Sequence, residues 1–216
     1  MGIIILSIDP GCKNLGYSLI RFDKEMNRTN IMDPCVFFKD NDTDFIELKN
    51  IDVTKIKNTN NKSSGGDIYD KVVLFLLNIV NKLDLTKDFL HIIIEKQMKI
   101  SVNISEISSI ISTFFATYFI LNKDKGYNYK ITIISPHFKN KIASSIDVDN
   151  KIRINYINQY QYNKHLVELY FLKLNENLKI INQDKYVTGS GKHVSKLNDI
   201  SDSFIQILSF IQYYLK

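Results

Sequence analysis

The alternation of apolar runs and polar turns divides the first forty residues into three short strands. Residues 3–8 form a continuous apolar run, which predicts a buried strand. Residues 16–22 predict a second strand, joined to the first through a Pro-Gly turn, and residues 34–39 predict a third. Because the connections are short, we expect these three strands to form an antiparallel meander.

Helical periodicity and two further strand patterns organise the rest of the chain. A polar, Gly/Ser-rich loop covers 58–66, and apolar residues then recur at helical spacing over 68–83, with Asp67 as the candidate N-cap. Residues 137–163 are polar and give no clear pattern. The remaining predicted elements are a strand at 89–96, a helix at 103–121, a strand at 129–136, a helix at 164–174, a loop at 175–196 and a helix at 198–215. This order predicts an α/β fold with a sheet of mixed direction.

The composition of the chain favours a globular protein with a polyanionic partner. The chain has 216 residues, of which 44% are hydrophobic and 24% charged, and this suits one globular domain over 1–216 with a sizeable core. The 28 Lys and Arg exceed the 23 Asp and Glu, and this modest excess favours a polyanionic partner. No secretory signal pattern is present, so we expect Cys12 and Cys35 to be reduced thiols in a soluble intracellular protein. The apolar runs predict no membrane span.

Two of the predicted buried strands end on acids. Asp9 follows the first strand, and Glu95 lies near the end of the strand at 89–96. Since neighbouring strand ends form ligand sites in α/β sheets, we expect these two acids to face each other. The final helix opens with Asp199 and Asp202, whose i,i+3 spacing places both carboxylates on one helix face. Packing of this helix beside the two strands would bring four acids together.

Four carboxylates in one small volume need a compensating cation, because their mutual repulsion is otherwise unfavourable. Carboxylate and water oxygens suit Mg²⁺, with Mn²⁺ as a substitute. Two such ions can activate a water and stabilise the leaving oxygen in phosphodiester hydrolysis. Each acid taken singly also has an ordinary explanation: a turn for Asp9, a solvated strand end for Glu95 and a helix-dipole contact for Asp199. The four together favour a metal site.

Three segments carry a resemblance to a known family: "IDPGCKNLGY" at 8–17, "IIIEKQ" at 92–97 and "NDISDSF" at 198–204. They resemble the motifs of RuvC-like Holliday junction resolvases in the RNase H superfamily, and the poxvirus and large-DNA-virus type is the most similar. "IISP" at 133–136 also matches, so the resemblance covers most of the chain in order.

The resemblance implies an RNase H-like fold, with a five-stranded mixed sheet in the order 3-2-1-4-5 flanked by helices. It also implies a homodimer that cuts opposed strands of a four-way DNA junction, leaving 5′-phosphate and 3′-hydroxyl ends. Asp9, Glu95, Asp199 and Asp202 carry over as ligands of two Mg²⁺ ions. A viral protein of this type would act in the host cytoplasm.

The sequence departs from the family pattern at a few positions. Asn198 stands where the viral relatives often have a second acid, and Lys96 replaces their Arg. Their basic cluster is reduced to Lys164 and His165. Residues 137–163 have no confident counterpart.

Basic residues near the predicted site are candidates for phosphate contact. Lys196, three residues before Asp199, is the predicted stabiliser of the transition-state charge. Gly11 and Gly16 suit either a close approach of the DNA backbone or a tight turn. A stripe of the apolar helix at 103–121 would form the dimer interface if it is left uncovered. The candidate DNA contacts are Lys13, Lys96, Gln97, Lys99 and Lys192.

Two other functions stay open at this point. The same fold and metal site could serve a nuclease for RNA–DNA hybrids or for other branched DNA. A module that binds junctions without cutting them is the alternative of a different class. The complete set of four acids argues against an inert module, because acids clustered against a polyanion do not favour binding alone.

Overall fold

The computed structural model of the protein describes residues 1–11, 14–23, 26–55, 68–97, 102–145, 158–181 and 197–215. The strands in these ranges are β1 (Gly2–Asp9), β2 (Asn14–Phe22), β3 (Thr43–Asp52), β4 (Asp88–Glu95) and β5 (Tyr129–Ile134). The α-helices are α1 (Pro34–Asp40), α2 (Ile68–Val80), α3 (Val102–Leu121), α4 (Pro136–Ala143), α5 (Gln159–Leu178) and α6 (Leu197–Tyr213). Two 3₁₀ turns lie at Val53–Lys55 and Lys123–Lys125.

The strands form one sheet in the order β3-β2-β1-β4-β5. β1 pairs with β2 and β2 with β3 in antiparallel direction, whereas β4 runs parallel to both β1 and β5. The predicted strand order, the mixed direction and the antiparallel first three strands are therefore confirmed.

The third strand lies further along the chain than predicted, and the prediction of a strand at 34–39 is wrong. These residues form α1, whose N-cap is Asp33: its side chain accepts hydrogen bonds from the backbone N–H groups of Cys35 at 3.1 Å and Val36 at 3.2 Å. Pro34 occupies the first turn, where its missing N–H costs nothing. An Asp-Pro pair therefore starts a helix here, and β3 follows it.

Alternation along β1 sends its side chains into two hydrophobic layers. Ile4, Leu6 and Ile8 pack with residues of α2 and α3 on one face of the sheet. Ile5 packs on the opposite face with residues of α1, α4, α5 and α6. The sheet thus lies between two layers of helices, and α6 packs on its central strands β1 and β2.

The predicted helices at 103–121, 164–174 and 198–215 correspond to α3, α5 and α6. Helix α5 begins five residues earlier and ends four residues later than predicted, so 175–178 is helical and not part of the predicted loop at 175–196. The stretch that gave no pattern contains α4, which is capped by Ser135: the serine side chain accepts from the N–H of His137 at 3.3 Å. The loop at 58–66 and the candidate cap Asp67 lie outside the described residues.

Helix α3 combines a narrow buried stripe with a wide apolar surface. Its segment Ile104–Leu121 has a mean hydropathy of 1.5, so by length and composition alone it could cross a membrane, contrary to the expectation from the sequence. Only 22% of the segment is buried. The buried residues are Ile107, Ile111, Phe115 and Phe119, which face the sheet. A helix that packs on the core of a soluble protein passes the same length test, so this criterion does not define a span.

Candidate active site

β1 and β4 are parallel neighbours, and each ends on an acid. The register pairs Ile8 with Ile94, so Asp9 and Glu95 follow at the same level of the sheet. Alternation that buries Ile8 and Ile94 against α2 and α3 turns the two acids to the opposite face, on the side of α6. Both acids line one cleft of about 480 Å³.

Helix α6 brings the other two acids into the same cleft. Asp199 lies in its first turn, and Asp202 follows with only 4% of its surface exposed. The helix can approach β2 because Gly16 has no side chain: a Cβ there would collide with the backbone carbonyl oxygen of Asp199. The Oδ2 of Asp199 accepts a hydrogen bond from the side-chain Nδ2 of Asn50 on β3. The structure thus places the four predicted acids along the wall of one cleft.

A buried lysine from α4 lies between two of these acids. The Nζ of Lys139 is 2.6 Å from Oε2 of Glu95 and 2.9 Å from Oδ1 of Asp202. Burial alone would lower the pKa of Lys139, but Asp202 and Glu95 outweigh it and raise this pKa. Lys139 is therefore a fixed positive charge within the cluster.

Helix α5 adds a second lysine and a fifth acid. Lys164 lines the cleft, and its Nζ lies 5.3 Å from the centroid of the Tyr160 ring. Burial opposes its charge, yet Asp202 and Tyr160 raise the pKa of Lys164. Glu168 lies one turn further along α5 and is buried. Burial, with a further contribution from Asp202, raises the pKa of Glu168 to about 7.

Burial and mutual repulsion dominate the electrostatics of the acids. Burial, followed by the charge of Glu95, raises the pKa of Asp9 well above its ordinary value. Burial also raises the pKa of Glu95 in spite of Lys139, and that of Asp199 in spite of Lys164. The cleft therefore disfavours the charged form of these acids.

The donor chemistry of the cleft fits a hard divalent cation. Carboxylate oxygens are the preferred protein ligands of Mg²⁺ and Mn²⁺, and a bound cation would lower the pKa values that burial raises. Among the described residues, no three acidic, His or Cys side chains already stand together in a group that could hold a metal ion. The ammonium group of Lys139 occupies the space between Glu95 and Asp202, so ion binding there requires this lysine to withdraw.

The other predicted site residues have mixed outcomes. Lys96 and Gln97 follow β4 and line the cleft, and Lys96 is exposed. Gly11 also lines the cleft, and a Cβ there would collide with the carbonyl oxygen of Asn14, so its requirement is the tight turn. The predictions that fall outside the described residues concern Lys13, Lys99, Lys192 and Lys196.

Three further residues of the cluster did not emerge from the sequence: Asn50, Lys139 and Glu168. The Ser-Pro pair that caps α4 is the sequence signal that would have placed Lys139 on a helix following β5. No comparable signal marks Asn50 or Glu168, because their importance comes from the packing of β3 and α5 near α6.

The sheet order and the two helical layers define an RNase H-like fold, and this confirms the predicted fold class. Among solved structures, the yeast mitochondrial Holliday junction resolvase Ydc2 matches with a TM-score of 0.54 and 12% sequence identity, covering 96% of this chain and 77% of Ydc2. This likeness is one of fold.

RuvC from Thermus thermophilus, solved in complex with a Holliday junction substrate, matches with a TM-score of 0.49 and 7% identity, covering 98% of this chain and 97% of RuvC. No protein-family model matches the chain, and no curated protein sequence does either.

Proposed function

We propose that this protein is a Holliday junction resolvase, a metal-dependent endonuclease that cuts opposed strands of four-way DNA junctions. The observation that carries the proposal is the meeting of Asp9, Glu95, Asp199 and Asp202 in one cleft at the carboxyl ends of β1 and β4. The fold shared with Ydc2, which is a Holliday junction resolvase, supports the choice of substrate. The basic balance of the chain suits a nucleic-acid partner.

The four acids Asp9, Glu95, Asp199 and Asp202 would hold the metal ions. Two bound Mg²⁺ ions, or two Mn²⁺ ions in their place, would supply the Lewis acidity that activates a water and stabilises the leaving oxygen. Lys139 and Lys164 face these acids and offer positive charge to the scissile phosphate. The products would carry 5′-phosphate and 3′-hydroxyl ends.

DNA contact at the rim of the cleft is assigned to the exposed Lys96 and to Gln97. Lys13, Lys99 and Lys192 complete the proposed contact set, and Lys196 is kept as a proposed stabiliser of the transition-state charge. These lysines suit phosphate contact, which orients the protein without reading the base sequence.

The partner we propose for the surface of α3 is a second copy of the chain. An apolar groove of about 480 Å³ lies between α2 and α3 and contains Leu77, Ile110, Phe114 and Leu121. Glu106 is the only charged residue in Ile104–Leu121, so covering this face in a dimer interface would remove few charged groups from water. A twofold dimer would present two clefts to the near-twofold four-way junction.

The family resemblance extends the proposal to the setting in which the protein acts. We propose an intracellular protein of the poxvirus and large-DNA-virus type, which would resolve junctions at sites of viral DNA replication in the host cytoplasm.

The decisive experiment uses an end-labelled four-way junction, a matched linear duplex and a matched RNA–DNA hybrid, each with Mg²⁺. The wild-type chain is compared with Asp202→Asn, which removes one negative charge at nearly constant shape. A second comparison with Lys141→Met controls for the loss of an exposed charge on α4, away from the acids.

Paired, symmetric nicks on the junction alone, lost in Asp202→Asn and kept in Lys141→Met, would establish the resolvase. Equal cutting of the duplex or the hybrid would keep the metal site and replace the substrate. Junction binding by the wild type without any cutting would favour the inert binding module.

A further inference from the structure

We infer that Asn50 is a positioning residue, which fixes the carboxylate of Asp199 in the orientation that the metal site needs. The inference deepens the proposed function and rests on its metal site. Asn50 lies on β3, far from the three acidic motifs in sequence, and its amide reaches Asp199 through a direct hydrogen bond.

The sheet register explains how a residue of β3 reaches the first turn of α6. Asp9 pairs with Gly16, and Gly16 pairs with Asn50, so these three positions form one row across β1, β2 and β3. Directly paired residues project from the same face of a sheet. Since the middle position has no side chain, the backbone at Asp199 descends over Gly16, between Asp9 on one side and Asn50 on the other.

The chemistry of the amide suits this role. The Nδ2 of Asn50 donates to Oδ2 of Asp199, which leaves the other carboxylate oxygen for a cation. A neutral donor orients the carboxylate without the competing positive charge that a lysine would bring. The hydrogen bond also lowers the pKa of Asp199 against the larger opposing effect of burial.

The rest of the Asn50 amide makes no compensating hydrogen bond to the described residues. Its Oδ1 is buried and has no hydrogen-bond partner in the part of the chain that the structure describes. A buried amide oxygen without a partner is unfavourable, so the bond to Asp199 is what holds the side chain in place.

The test measures Mn²⁺ binding to the full chain by titration calorimetry, in the wild type, Asn50→Leu and Asn50→Ser. Leucine keeps the branched shape of the side chain and removes the donor, and serine is too short to reach Asp199. Asn81→Leu, the loss of an exposed amide just after α2, is the matched control. Binding to a four-way junction in EDTA and the melting temperature without metal are measured alongside.

Both Asn50 variants should bind Mn²⁺ about tenfold more weakly than the wild type and than Asn81→Leu, with junction binding in EDTA unchanged. Unchanged Mn²⁺ affinity, with or without a lower melting temperature, would overturn the inference by leaving Asn50 a structural role only. Failure of the proposed function has a separate signature, in which the wild type binds Mn²⁺ tightly but leaves four-way junctions uncut.

Discussion

The ammonium nitrogen of Lys139 lies 2.6 Å from Oε2 of Glu95, deep in a cluster of acids that come from distant parts of the chain. Both side chains are about nine-tenths buried. A buried ion pair stabilises a fold little more than apolar residues of the same size would. Removing one partner is strongly destabilising, however, because the other charge stays buried without compensation. The lysine therefore holds the cluster together while no metal is bound.

Lys139→Met should destabilise the metal-free protein by about 3–5 kcal/mol at pH 8, because Glu95 and Asp202 lose their compensating charge. Urea unfolding in EDTA measures this loss, with Lys141→Met on the exposed side of α4 as the control. Added Mn²⁺ should recover part of the stability, since a cation can replace the missing charge. Equal stability of the two variants would contradict this account.

Gly16→Ala should both destabilise the fold and weaken metal binding, because the new methyl group pushes the first turn of α6 away from β2. We expect a cost of about 1–3 kcal/mol, typical of an overpacked core, in urea unfolding. Gly126→Ala is the control, because Gly126 has a left-handed φ of 67° and a Cβ there would meet nothing within 4 Å. We expect this variant to lose about 1 kcal/mol of stability through backbone strain. Its Mn²⁺ affinity should be unchanged. Equal Mn²⁺ affinity in both variants would show that metal binding does not depend on the close approach of α6 to Gly16.

Leu121→Arg should convert the proposed dimer into a monomer, because it places a charge in the groove between α2 and α3. Met32→Arg is a matched control, since both side chains are 76% exposed and Met32 lies away from α3. Sedimentation equilibrium measures the mass, and paired junction cuts should become unpaired nicks in Leu121→Arg. A wild-type chain that sediments as a monomer would remove the dimer from the proposal.

His91 should make the fold sensitive to acid. Its ring packs on Phe89 at 4.6 Å and Phe210 at 5.1 Å, and burial, assisted by Lys130, lowers its pKa from 6.5 to about 4. The folded state disfavours the charged imidazole ring. The stability that the neutral His91 ring contributes is therefore complete above pH 6.5 and is lost as the pH falls toward 4.

The measurement is the urea midpoint at pH 7.5 and pH 4.5 for wild type, His91→Leu and the exposed control His137→Leu. The wild type and His137→Leu should lose more stability between these pH values than His91→Leu does. Equal losses in all three chains would assign the acid sensitivity to other groups.

Much of the fold could be predicted because its central strands are continuous apolar runs. β1 and β4 are buried on both faces, so each of them is recognisable in the sequence as an apolar run that ends on an acid. The third strand was misplaced because β3 is a half-exposed edge strand with many polar residues, whereas 34–39 is apolar. The aromatic pair Phe37 and Phe38 is buried as part of a helix, and the Asp-Pro cap that starts it outweighs the strand-like composition.

The site was only partly predictable for a related reason. The four acids belong to local motifs at element ends, which sequence patterns can place. Lys139 and Asn50 act through tertiary contacts, and a single lysine or asparagine in a polar stretch has no distinguishing pattern. Their contribution follows from the packing of α4 and the sheet register beneath α6.

The acids that meet in the cleft come from β1, β4 and α6, and α6 is the last described element of the chain. During synthesis, a ribosome-bound chain that has completed β1 to β5 and α4 carries Asp9, Glu95 and Lys139 but neither Asp199 nor Asp202. Such a chain cannot assemble the cluster, however well its sheet has formed. Any cutting activity would therefore begin only when α6 docks on the sheet.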